Sequence, residues 1–138
     1  MIVSISRADL DKIVAEAEKN ADFEVCGLLL GWDGMILDVV PAANVAADPA
    51  CRFEIDPATL IAAHRATRSG GLPILGNYHS HPTGVAIPSA EDAANACAGD
   101  LWLIVGGGEA ALFRADSAGP VAGRFHPVQL RVSDGLSA

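Results

Sequence analysis

Between Glu24 and Gly31 lies Val25-Cys26-Gly27-Leu28-Leu29-Leu30, an apolar run without a charge. It is too short for a core helix and lacks the alternation of a half-buried strand, so it reads as a strand covered on both faces. Such a strand needs packed layers on either side of its sheet, which points to an α/β architecture before any other element is placed.

The flanking segments agree with that reading. Ile2 to Ile5 is a short β-rich opening, and Ser6-Arg7-Ala8-Asp9 has the form of an N-cap with an acid at the third helical position. Leu10, Ile13, Val14 and Ala17 follow at helical spacing, predicting an amphipathic helix to about Asn20. Gly31 to Gly34 supplies a turn before residues 35–40, a hairpin partner expected to end at Pro41. Residues 41–50 read as a loop, and Cys51-Arg52-Phe53-Glu54-Ile55 alternates apolar and charged residues as a half-buried strand would. Asp56 as N-cap and Pro57 at the first helical position open a second helix that stops before Gly70-Gly71. Leu72 to His81 predicts a strand closed by Pro82, residues 83–88 a loop, and Ser89 the start of a third helix to about Ala98. Strands are expected at 101–105, 110–115 and 121–132, the last with a break at Pro127. No repeat interrupts this order, so one α/β domain over residues 1–138 is expected, with a mixed sheet and three helices.

Charge and composition remove several function classes. Seventeen acidic side chains oppose 9 basic ones, a net charge of -8 that repels a phosphate backbone, so nucleic acid is not an expected partner. The opening Met1-Ile2-Val3-Ser4-Ile5-Ser6 has no basic lead-in and reads as no signal peptide, and no stretch is apolar enough for a bilayer span. Cys26, Cys51 and Cys97 are an odd number at wide spacings with no C-x-x-C pair, against both a disulfide framework and a thiolate zinc cluster. A cytoplasmic location without membrane contact is the expectation.

His79 and His81 stand two apart at a strand end, where side chains two apart point to one side, so both imidazoles can face a single point. Alone, such a pair is ordinary surface histidine beside a turn. Ser89-Ala90-Glu91-Asp92 alone is a capping box, which needs no metal. Together, His79-x-His81-Pro82-x(6)-Ser89-x-x-Asp92 offers two nitrogen ligands, one oxygen ligand, a nearby hydroxyl and a fourth position for water. That is the stoichiometry of a catalytic zinc rather than a structural one.

These residues resemble the signature of the JAMM, or JAB1/MPN/Mov34, metalloproteases: an upstream Glu followed by H-x-H-P-x(6)-S-x-x-D. Glu24-Val25-Cys26-Gly27-Leu28-Leu29-Leu30-Gly31 looks like the family's acid-bearing strand, and Arg52-Phe53-Glu54-Ile55-Asp56-Pro57 resembles the segment before the second helix in bacterial members. The matches run from about residue 1 to 115. The resemblance implies a JAB1/MPN-like (cytidine-deaminase-like) fold, a mixed curved sheet flanked by about three helices. It also implies Zn2+ held by His79, His81 and Asp92, with Glu24 as general acid/base and Ser89 stabilising the oxyanion.

By the same resemblance the expected activity is hydrolysis of a peptide or isopeptide bond after the C-terminal Gly-Gly of a ubiquitin-like sulfur-carrier protein. Deubiquitinating relatives carry an insertion after the Ser-x-x-Asp helix start, whereas here only residues 93–100 separate Asp92 from Leu101. An extended tail would reach the site along a neighbouring sheet edge. The oligomeric state is left open, a homodimer included. Two alternatives stand beside this reading. RadC-like proteins share H-x-H-P-[ST]-G and P-S-x-x-D, matching His81-Pro82-Thr83-Gly84 and Pro88-Ser89, although the Cys26-Gly27 strand and the segment from Phe53 to Pro57 favour the peptidase branch. A non-catalytic MPN scaffold typically lacks a ligand, and none is missing here. A TIM-barrel hydrolase needs about 250 residues, and a nucleoside deaminase needs a P-C-x-x-C that is absent. His64 and His126 read as solvated or structural, Cys26 as a small buried hydrophobe, and Gly106-Gly107-Gly108 as a hairpin turn rather than a phosphate loop.

Overall fold

The computed structural model describes residues 1–134. In chain order the elements are β1 (Ile2–Ser6), α1 (Arg7–Lys19), β2 (Cys26–Trp32), β3 (Met35–Ala42), α2 (Pro57–Arg68), β4 (Ile74–Ser80), α3 (Ala90–Asn95), β5 (Leu101–Gly106), β6 (Glu109–Ala115) and β7 (Phe125–Ser133). The strands pair in the order β1-β3-β2-β4-β5-β6-β7, and β7 returns to β1, closing the mixed sheet on itself. Among the described residues no helix is long and apolar enough to cross a membrane.

The period-two geometry of strands sorts side chains onto two buried faces. All of β5 is buried. Leu101, Leu103 and Val105 join the inner cluster with Val3, Leu29, Tyr78 and Leu112, and α1 adds Leu10 and Ile13 to it. Trp102 and Ile104 point the other way, to a smaller cluster with Phe113 and Phe125. β4 is sorted likewise: Tyr78 faces inward, where its hydroxyl donates to Glu16 Oε1 of α1 at 2.7 Å, while His79 lies between the Phe53 and Trp102 rings on the outer face. Gly27 is required opposite Tyr78, because a Cβ there would collide with the Tyr78 ring and the Val40 carbonyl.

Several expected boundaries move, for local reasons. Residues 51–55 form no strand: their main chain meets residues 43–45 only at an isolated Asn44–Ile55 bridge, and the alternation marks Phe53 and Ile55 as half-buried residues of a strap. Pro41 lies inside β3 instead of ending it, since β1 pairs with β3 only at Met35 and Ile36 and asks no N–H of Pro41. Pro127 does not break β7, because it faces β6 before pairing with β1 begins at Gln129. The third helix stops at Asn95 rather than Ala98: Ala96 turns extended, and the Arg124 guanidinium donates to the Ala93 and Ala96 carbonyls at 3.2 and 2.8 Å. Cys26 is fully buried, with its thiol pushed up to about 12 first by burial and then by Glu16 and Glu24, so it behaves as a small hydrophobe. His64 is exposed on α2, His126 bonds the Ala118 carbonyl, and Gly107 and Gly108 (φ 60° and 77°) turn the β5–β6 hairpin as expected.

Candidate metal centre

Register brings the upstream acid to the histidines. β2 and β4 run antiparallel with Cys26 opposite His79, so continuing the ladder by two residues places Glu24 beside His81. Ser80 secures that continuation. Its N–H donates to the Val25 carbonyl at 3.1 Å, and its buried hydroxyl accepts from the Val25 N–H at 2.9 Å. Asn44 adds a second hold, its Nδ2 donating to the Glu24 carbonyl at 2.9 Å and to the Arg52 carbonyl at 3.0 Å. Ligand atoms of Glu24, His79 and His81 consequently all lie within 4.8 Å of one another.

The third helix delivers Asp92. Ser89 Oγ accepts from the Asp92 N–H at 3.0 Å, and Asp92 Oδ2 accepts from the Ser89 N–H at 3.0 Å, the capping box expected from the sequence. The same Oδ2 lies 3.2 Å from Nε2 of both His79 and His81, and the two Nε2 atoms are 3.0 Å apart. Ligands about 2.0–2.1 Å from a tetrahedral metal are separated by about 3.3–3.4 Å, so these spacings match one face of such a site. His81 Nδ1 donates to the Val85 carbonyl at 2.8 Å, so once its Nε2 proton is lost that nitrogen can offer a lone pair to a cation. Two imidazole nitrogens and a carboxylate oxygen converging at contact distance, with a Glu24 oxygen within 4.8 Å of the imidazoles, are a donor set that could hold a divalent cation.

Electrostatics separates the two carboxylates. Burial raises Glu24 to about 7 against the opposing pull of His81, with Asp92 and Glu91 pushing the same way as burial, and its Oε1 is buried without a partner. Burial also works against an ionised Asp92, but hydrogen bonds from His79, His81 and the Ser89 N–H hold it well below the usual carboxylate range. His79 is held low by burial. His81 is raised despite burial, by Asp92 and the Val85 carbonyl. One acid is therefore a fixed anion and the other is poised to exchange a proton near neutrality.

All five residues singled out from the sequence, Glu24, His79, His81, Ser89 and Asp92, are thus brought to one place. Sequence reasoning missed their supports. Phe53 stacks on His79 at 4.4 Å and 21°, and Trp102 meets the same ring edge-on at 5.6 Å. Ser80 and Arg124 act through main-chain bonds, for which the sequence holds no signal beyond a polar residue on a strand's inner face and a lone arginine in a late loop.

A family model of prokaryotic homologs of the JAB domain matches residues 6–117. A desampylase of Haloferax volcanii is 34% identical over 109 residues, covering 74% of this chain and 78% of that protein. A probable TtuB-protein conjugate cleaving protease of Thermus thermophilus is 34% identical over 98 residues, covering 70% of this chain and 64% of that protein. A Desulfitobacterium hafniense protein solved in solution superposes with a TM-score of 0.83 at 27% identity, covering 99% of this chain and 96% of that one.

Proposed function

The chain belongs to the prokaryotic JAB family, and from that membership we propose that it is a zinc-dependent peptidase or isopeptidase acting after the C-terminal Gly-Gly of a ubiquitin-like sulfur-carrier protein. The observation that carries the chemistry is the convergence of His79 Nε2, His81 Nε2 and Asp92 Oδ2 beside an unpartnered, buried Glu24. The names of the Haloferax and Thermus relatives support the substrate class and favour an enzyme over an interaction scaffold.

Zinc held by His79, His81 and Asp92 would supply a Lewis acid that lowers the pKa of a water to about 7 and polarises the scissile carbonyl. Glu24, a buried carboxylate whose Oε1 has no partner, takes the proton of the attacking water and returns it to the departing amine. Ser89 Oγ already accepts from Asp92 N–H and keeps its own proton to donate to the carbonyl oxygen as charge develops there. The Val85 carbonyl and the Phe53 ring keep the two imidazoles from turning.

Zinc-loaded protein incubated with a carrier extended beyond Gly-Gly and, separately, with diubiquitin tests the reading by intact mass. Release of the extension with diubiquitin left whole is the expected result. Cleavage of diubiquitin with the extended carrier untouched overturns the substrate, and cleavage of neither overturns the activity.

A further inference from the structure

As a metal ligand through Nε2, His79 carries its ring proton on Nδ1, and a buried N–H needs an acceptor. The equivalent proton of His81 has one, the Val85 carbonyl at 2.8 Å. His79 is fully buried, and its Nδ1 makes no hydrogen bond among the described residues. Native proteins seldom leave a buried donor orphaned, and least of all on a histidine whose second nitrogen faces a metal.

Two more orphans lie against it. Asn77 Oδ1 and Trp102 Nε1 are likewise buried without a partner among the described residues. Asn77 precedes His79 by two residues, so both side chains stand on the outer face of β4. Trp102 is the register partner of Asn77 on β5, and its ring meets the His79 ring edge-on at 5.6 Å and 90°. Phe53 covers the group, stacked on His79 and edge-on to Trp102. Two donors and one acceptor are thus gathered with no direct bond among them, and their signs decide what can join them. A cation would meet two N–H groups, and an anion would meet the Asn77 oxygen. A water offers two lone pairs to the donors and an O–H to the acceptor, and three bonds is the usual number for a buried water. The groove of about 650 Å3 lined by Asn77, Trp102 and Phe53 supplies the way in.

We propose that Asn77 and Trp102 hold an ordered water against His79 Nδ1, which makes Asn77 a positioning residue for the metal centre. The water accepts from the His79 Nδ1–H and the Trp102 indole N–H and donates to Asn77 Oδ1. Nδ1 thereby keeps its proton, and the lone pair stays on Nε2, where it converges with His81 Nε2 and Asp92 Oδ2. Stacking alone does not achieve this. The Phe53 ring fixes the plane of the imidazole, but a half-turn within that plane preserves the stack and carries both nitrogens away from the metal. Only a hydrogen bond at Nδ1 tells the two orientations apart, and it also makes Nε2 the more basic ligand. Asn77 acts through the water and His79 and touches neither metal nor substrate.

This inference rests on the proposed function only for the role of His79 as a zinc ligand, and its readouts do not use turnover. The chain has two tryptophans, so 15N-labelled protein shows two indole N–H signals, and Trp102→Phe identifies that of Trp102. In the zinc-loaded wild type this proton should give a nuclear Overhauser cross-peak to water, with the rotating-frame sign of a bound molecule and not of proton exchange. The His79 ring should be protonated at Nδ1 in long-range 1H–15N spectra. Asn77→Leu, close in shape but without the acceptor, should lower zinc affinity about tenfold to a hundredfold in chelator competition. The melting temperature of the metal-free protein should hold, whereas a merely structural Asn77 would lower it and leave zinc affinity unchanged. A missing water cross-peak in the zinc-loaded wild type overturns the proposal without any variant, as does wild-type affinity in folded Asn77→Leu. A wild type that binds no zinc through His79 overturns the proposed function as well. Zinc bound through His79 at an affinity indifferent to Asn77 removes this inference alone.

Discussion

Replacing Glu24 by Gln should make the metal-free protein more stable and the enzyme inactive. Glu24 is 6% exposed, its Oε1 has no partner, and burial lifts its pKa from 4.5 to about 7. Below about pH 4.5 the carboxyl is neutral in both the folded and unfolded chain and its ionisation has no effect on stability. As pH rises through this window the unfolded chain ionises first, so folding is penalised increasingly until the folded group also ionises near 7. Above that, the full penalty, about 3 kcal/mol, is in place. Gln keeps the shape and carries no charge at any pH. Urea unfolding of chelated protein should therefore show no difference between the two proteins at about pH 4 and a gain for Glu24→Gln of about 1–3 kcal/mol at about pH 8. With zinc bound, the variant should keep its metal and lose at least about 10²-fold in turnover, because an amide cannot accept the proton of water. A stability difference that does not change with pH would refute the burial argument, and comparable turnover would refute the general-base role.

His81→Ala should strip the metal, since it removes one of three converging donors; full zinc occupancy by elemental analysis would dismiss the ligand assignment. Ser89→Ala removes the acceptor of the Asp92 N–H and should cost about 1 kcal/mol of stability as a lost cap, together with about 10²-fold in turnover as a lost oxyanion donor. A lowered melting temperature with unchanged turnover would leave Ser89 a cap alone. Ser80→Ala orphans the buried Val25 N–H, at about 1–3 kcal/mol, and loosens the segment that aims Glu24. Metal content should hold while kcat falls, and an unchanged kcat would show that Glu24 does not depend on this anchor.

Much of the fold was legible because its signals are local. The apolar run before Gly31, the caps at Ser6, Asp56 and Ser89 and the turns at Gly70 and at Gly107-Gly108 each act within a few residues, and each formed as read, whereas the expected turn from Gly31 to Gly34 shrinks to Asp33-Gly34 because Gly31 and Trp32 stay paired in β2. The convergence of His79, His81 and Asp92, the proposed metal ligands, was legible for the same reason: two histidines on one side of a strand end and an acid in a helix's first turn are spacings a chain states openly. Glu24 is the intermediate case. By itself it is a boundary charge, and only its match to a family motif marked it in the sequence; the β2–β4 register then carried it to His81. What the tertiary structure alone decided are relations between segments far apart in the chain. Residues 51–55 alternate like a strand, yet they became a strap because the sheet closed through other partners. Asn77 and Trp102 carry no motif, and only the parallel pairing of β4 with β5 leaves Asn77 Oδ1 and Trp102 Nε1 buried without partners. The two carboxylates, alike in sequence, part company because Asp92 is buried against donors that favour its charge and Glu24 is buried where burial outweighs the His81 charge beside it. A protonation state is a property of surroundings, and surroundings are assembled only by folding.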